Sequence, residues 1–180
     1  RRETLEIDID FALHGDIGPA SHFALHAKPG DRLAISGPGG PDPMLQVAKH
    51  YYMAGDLTSL PAISAMVEVM PAEARGHIAL LVPHQEDVQD LSLPEGVSLR
   101  WFVGTPDQTG PLVEHFTTLP MAAEGSYFWF GGEEGLVVPL RRHVRRALEV
   151  DRSQVYAVPY WRSGKDEDAY HQDRHVVMDS

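Results

Sequence analysis

The sequence contains no cysteine in 180 residues. That removes thiol catalysis, disulfides, iron–sulfur clusters and cysteine-ligated zinc from consideration. Long apolar runs are missing too: nothing approaches the roughly 20 residues of a membrane-spanning helix, and no signal-peptide pattern stands at the start. Positive charge is scarce, with 15 Lys and Arg against 26 Asp and Glu and a formal net charge of −11. Such a chain repels phosphate backbones, which excludes nonspecific nucleic-acid binding. The absences together read as a cytoplasmic protein without a membrane span. The chain opens on Arg1-Arg2-Glu3 and not on methionine, which reads as a piece of something longer.

What is present suits folding. A hydrophobic fraction of 43% and a charged fraction of 23% support a real core, and the length allows one domain, or a domain with a remnant of another. From Leu5 to Leu13 the apolar residues Leu5, Ile7, Ile9, Phe11 and Leu13 alternate with acids, a period of two that predicts a strand with one wet face. Gly18-Pro19-Ala20-Ser21 leads into a short helix over residues 22–27, and Arg32 to Gly37 predicts another strand. Gly39-Gly40-Pro41-Asp42-Pro43 is the most linker-like stretch and places a domain boundary near residue 40.

Beyond it, strands alternate with helices, which predicts parallel βα units. The run from His50 to Ile63 is the organising one: an apolar and aromatic strand, a tight turn on Gly55-Asp56, then Thr58 or Ser59 as a helix cap with Pro61 in the first turn. A helix starting directly after a strand offers free amides to the phosphates of a nucleotide. Further strands are predicted over 76–82, 97–103, 126–130 (stopped by Gly131-Gly132) and 155–158, with helices over 112–118 and from Glu133 onward. The latter has an acidic start and a basic finish, as the helix dipole favours.

Taken in order, the motifs Leu5 to Gly15, Gly18-Pro19-Ala20-Ser21, Pro29 to Leu33, Ala54 to Ile63, Gly132-Glu133 and Tyr160-Trp161-Arg162-Ser163-Gly164 closely resemble the siderophore-interacting proteins. These are FAD- and NAD(P)H-dependent ferric-siderophore reductases among the ferredoxin-reductase-like flavoenzymes. The resemblance implies an α/β fold: a nicotinamide-binding domain with a parallel sheet flanked by helices over 41–180, preceded over 1–40 by the C-terminal remnant of a flavin-binding antiparallel β-barrel. The family's Arg-x-Tyr-Thr flavin motif is absent from the sequence, so the resemblance implies that this piece alone binds FAD poorly.

By the same resemblance Gly18, Pro19, Ala20 and Ser21 meet the FAD pyrophosphate, with His14 at the strand end leading in, either as a flavin contact or as a plain polar terminus. Gly55, Asp56, Leu57 and Thr58 are assigned to NADH or NADPH, with Thr58 as a hydrogen-bond donor and Asp56 alternatively only fixing the loop. Gly132 and Glu133 lie beside the nicotinamide, and Tyr160 or Trp161 covers a ring or packs as an ordinary core aromatic. The implied substrate is a ferric siderophore, attracted by basic groups, for which Lys49, Arg162 and Lys165 are candidates. The flavin carries the difficult chemistry, so no catalytic acid or base is named. A binding module without turnover, or a flavin reductase with another acceptor, remains open.

Three features stand outside that assignment. His171 and His175, four apart, have only Asp173 nearby and read as a polar tail, not a metal site. Arg141, Arg142, Arg145 and Arg146 read either as a solvated helix face or as a grip on a 2′-phosphate or partner. Glu86 or Asp87, after the 76–82 strand, would favour NADH if it reached the adenosine ribose.

Overall fold

The computed structural model describes residues 4–11, 13, 18–36, 39–165 and 170. His14, His171, Asp173 and His175 lie outside them. The chain divides into two compact units, Arg1–Gly40 and Pro41–Ser180.

In the first unit α1 runs Pro19–His26, three residues earlier than the sequence suggests, behind Gly18 at φ 86°. Proline suits a first helical turn because its missing N–H would have no acceptor there. Phe23 packs against Phe11 with ring centroids 6.3 Å apart, and Asp31 closes the following turn by accepting from the Lys28 amide at 2.8 Å. Neither expected strand forms among the described residues of 5–13 and 32–36. Leu5, Ile7, Leu33 and Ile35 are exposed, and a strand needs a hydrogen-bonded neighbour as well as an alternating sequence. None pairs with these segments among the described residues.

The second unit is a five-stranded parallel sheet in the order β3-β2-β1-β4-β5. Its elements are β1 His50–Asp56, α2 Leu60–Glu68, β2 Arg75–Val82, β3 Gly96–Val103, α3 Gly110–Thr117, β4 Ser126–Glu133, α4 Glu134–Arg142 and β5 Val155–Trp161. Successive side chains of β1 explain the two cores. Tyr51 and Met53 face α2 with Ile78, Leu80, Tyr127 and Trp129. Tyr52 and Ala54 face α3 and α4 with Leu81, Phe128 and Phe130. Strands covered on both faces need no polar alternation, which is why β4 is buried at all eight positions. Fully burying each large side chain stabilises by roughly 1.5–3 kcal/mol.

Three boundaries differ from the sequence expectations. β1 continues through Gly55 and Asp56, and β4 through Gly131 and Gly132. Glycine is required there by crowding and not by a turn: a Cβ on Gly55 would lie 1.9 Å from the Ser59 hydroxyl oxygen, and one on Gly131 2.7 Å from the Trp129 ring. Tyr160 and Trp161 belong to β5 and not to a tail, because β5 pairs with β4 as far as Glu133.

A directed hydrogen-bond relay ties β2, β3 and α3. Arg100 can only donate, so the Nδ1 of His115 accepts from it at 3.1 Å. The proton of His115 therefore sits on Nε2 and is donated to Nε2 of His77 at 3.0 Å. His77 in turn donates from Nδ1 to the Ser98 hydroxyl at 2.7 Å, and Ser98 donates to the Gly76 carbonyl. Both imidazoles must be neutral. Burial, then His115, then Arg100 push the pKa of His77 down from 6.5 to about 4, and burial followed by Arg100 lowers that of His115. Between those two values of His77 the unfolded chain holds the extra proton, so stability falls as pH drops from 6.5 toward 4 and is flat above. Urea unfolding at about pH 4.5 and about pH 7 should show this slope, and His77→Phe should flatten it; an equal slope in the variant would refute the relay.

Candidate functional site

In a parallel sheet the loops after the strands gather at one end, and ligands bind where strand order reverses. Here β1 lies between β2 and β4, so the reversal falls between β1 and β4. The turn 57–59 and the start of α4 flank it. The first turn of α2 carries Pro61 and has no side-chain cap, which leaves backbone N–H groups at its start directed along the helix axis.

Asp56, only 4% exposed, knits this rim together. Its Oδ1 accepts from the Thr58 amide at 2.9 Å and the Thr58 hydroxyl at 2.5 Å. Its Oδ2 accepts from the Glu133 amide at 2.7 Å and the Trp161 indole at 2.9 Å. A carboxylate has about four acceptor positions, and all four are filled. Asp56 therefore ties the turn after β1 to the ends of β4 and β5. The hydroxyl of Thr58, the expected donor, gives its proton to Asp56 in this structure. Ser59 completes the turn by donating its hydroxyl to the Asp56 carbonyl at 2.9 Å.

On the β4 side, Gly132 has φ 125° and faces the Asp56 carboxylate, 2.6 Å from where a Cβ would stand. Glu133 accepts from the Gly135 amide, capping α4, and from the Ser163 amide at 3.2 Å. Glu134 meets Arg162 at 3.4 Å through Oε1; its Oε2 is buried without a hydrogen-bond partner among the described residues. Tyr160 packs edge-on to Trp129 at 6.5 Å. Burial, then Tyr156 and Asp56, raise its phenol pKa above the usual range.

The structure thus brings Gly55, Asp56, Leu57, Thr58, Gly132, Glu133, Tyr160, Trp161 and Arg162 to one rim. Lys165 follows closely, its amide donating to the Arg162 carbonyl at 3.1 Å. Lys49 does not join them: it precedes β1 and bonds to Gly125 at the strand starts, about 23 Å from Asp56 along an extended strand. Asp87 closes its own short turn by accepting from the His84 amide at 3.1 Å. In the first unit Gly18, Pro19, Ala20 and Ser21 form the start of α1, with Ser21 buried and nothing among the described residues within 4 Å of where a Cβ on Gly18 would stand. Among the described residues no group of three or more His, Asp or Glu could hold a metal, and no helix is long and apolar enough to cross a membrane.

Two family models match this chain: the siderophore-interacting protein model over residues 48–164 and the siderophore-interacting FAD-binding domain over residues 1–42. The chain belongs to the siderophore-interacting protein family. It is 42% identical over 182 residues to the ferric vibriobactin reductase ViuB of Vibrio cholerae, covering 99% of this chain and 67% of that protein. It is 27% identical over 159 residues to the NADPH-dependent ferric-chelate reductase of Escherichia coli, covering 87% and 61%. It also aligns with the crystal structure of the siderophore-interacting protein SipS from Aeromonas hydrophila at 78% identity and TM-score 0.94, covering 100% of this chain and 71% of that one. The chain spans about two thirds of the length of these two curated relatives. The family's α/β fold is the sheet described above, and the first unit corresponds to part of its flavin-binding barrel domain.

Sequence reasoning missed the bonds from Trp161 to Asp56 and from Ser163 to Glu133. They join residues 105 and 30 positions apart, and no local pattern carries them. Asp56→Asn would turn an NH2 toward two of the four donors. The expected loss is on the order of 3 kcal/mol, read by urea denaturation; an unchanged midpoint would show that the carboxylate is not the clamp.

Proposed function

We propose that this chain is the nicotinamide-binding part, and the end of the flavin-binding part, of a ferric-siderophore reductase that draws electrons from NADH or NADPH through FAD. The observation that carries the reading is the uncapped start of α2 at the reversal of strand order. The names of two relatives, ferric vibriobactin reductase and NADPH-dependent ferric-chelate reductase, support the reaction class.

The residues present fit the cofactors. The α2 start suits a dinucleotide pyrophosphate. The buried, unpartnered Oε2 of Glu134 suits an amide donor such as a nicotinamide carboxamide. Gly18 and the first turn of α1 offer a second uncapped helix start, suited to the FAD pyrophosphate. When bound, the flavin supplies the conversion of a two-electron hydride into the single electrons that Fe(III) accepts. The chain's own residues position: Asp56 and Gly132 hold the rim rigid, and Arg162 and Lys165 place positive charge beside it. Siderophore-bound Fe(III) is substrate, and its release follows reduction because Fe(II) is held less tightly by hard oxygen ligands.

The complete parent protein, given FAD, either nicotinamide nucleotide, a ferric siderophore and a ferrous chelator, should oxidise the nucleotide in an iron-dependent manner. No such oxidation with either nucleotide would refute the proposal, and turnover with a soluble dye alone would make it a flavin reductase for another acceptor. In the same protein Arg162→Gln should raise the KM for an anionic ferric siderophore severalfold, and by more than it raises the nucleotide KM.

A further inference from the structure

The four arginines near the end of α4 do not face the rim. α4 leaves the rim at Glu134 and runs back along the sheet, so its last turn and the wider π-type turn His143–Ala147 lie near the start of β5. There Arg141, Arg142, Arg145, Arg146 and Arg152 line a hollow of about 600 Å³, walled by Val138 and the β5 segment from Val155 to Val158. This location sets the arginines apart from the dinucleotide proposed on the α2 start, which would lie at the other end of the strands.

The helix dipole accounts for cations on the last turn of α4. It does not account for five guanidinium groups around one cavity in a chain of net charge −11 that has only 15 Lys and Arg in all. Like charges packed this way repel: burial and then Arg142 lower the pKa of Arg141, against an opposing effect of the Tyr170 phenol. The nearby carboxylate of Asp151 accepts from the Ser153 amide and hydroxyl and also attracts Arg145, which donates to the Val150 carbonyl; the other four guanidinium groups remain around the hollow. Arg142, Arg146 and Arg152 are exposed at the mouth.

We propose that this hollow binds a small, multiply charged oxyanion, a molecule with two or more phosphate or carboxylate groups, at a site separate from the nicotinamide rim. Guanidinium groups grip such oxygens in forked pairs, and the volume lies in the small-molecule range. The chain's net negative charge opposes an extended polyanion such as nucleic acid.

Calorimetric titration of the chain with inorganic tripolyphosphate and with citrate, at matched ionic strength, tests this and separates phosphate from carboxylate ligands. One saturable site is expected for at least one probe, weakened about tenfold or more by Arg142→Ser with Arg146→Ser. Arg162→Ser, at the rim, should leave it unchanged. Circular dichroism checks the fold of the double variant, and Arg152→Ser carries the test should that variant unfold. Absence of saturable binding to both probes, undiminished binding in the folded variant, or displacement by NADH would overturn the proposal. The readout needs neither flavin nor turnover, so its failure is distinct from failure of the reductase reading.

Discussion

The carboxylate of Asp56 is the constraint on which the rim depends. An ionised group out of water is costly unless its lone pairs meet donors. Here the donors come from the turn after β1, the end of β4 and the end of β5. One side chain therefore fixes three strand ends relative to one another, and the glycine at 132 follows because no Cβ fits against that carboxylate. Rigidity at the rim does not come from the loops themselves; it is imposed from beneath by a filled acceptor.

That arrangement shapes the electrostatics a ligand would meet. Asp56 and Glu133 are acids near a proposed dinucleotide site, yet both accept backbone N–H groups. These bonds direct the carboxylates inward and leave the α2 start as the outward-facing partial positive charge. Glu134 differs, with one oxygen toward Arg162 and the other buried without a donor. It is the polar atom of the rim whose hydrogen bonding the protein does not complete among the described residues.

Much of the second unit was legible in the sequence because its determinants are local. The apolar run of residues 76–82 and the glycine-punctuated 126–133 segment encode doubly covered strands, and Pro61 marks a helix start. The reading failed where distant residues decide. Gly55 and Gly131 look like turn glycines, but crowding from Ser59 and Trp129 is what demands them. Tyr160 and Trp161 look like a tail because β5 exists only through pairing with β4. The alternation at Leu5–Leu13 is a genuine strand signal without a pairing partner among the described residues. At the candidate site, the helix start after β1 was legible from Pro61 and the residues before it. A role for Asp56 in fixing its own loop was legible too, but its bonds to Glu133 and Trp161 and the remoteness of Lys49 were not, since these depend on the register of the sheet.

α4 links the two ends of the sheet and carries opposite chemistry at each. Its start presents Glu133 and Glu134 to the rim and its finish presents arginines to the hollow beside β5. The helix dipole favours both placements, but the consequence reaches beyond helix stability. Most of the positive charge of the α4–β5 region is drawn away from the rim, in a chain whose net charge is −11. An anion approaching the rim would therefore be attracted by few side chains, Arg162 and Lys165 foremost, and by oriented amides. With Arg162 already held by Glu134 at 3.4 Å, the amides of the helix starts become the principal fixed positive potential there. This places the weight of recognition on backbone geometry, which the Asp56 clamp maintains.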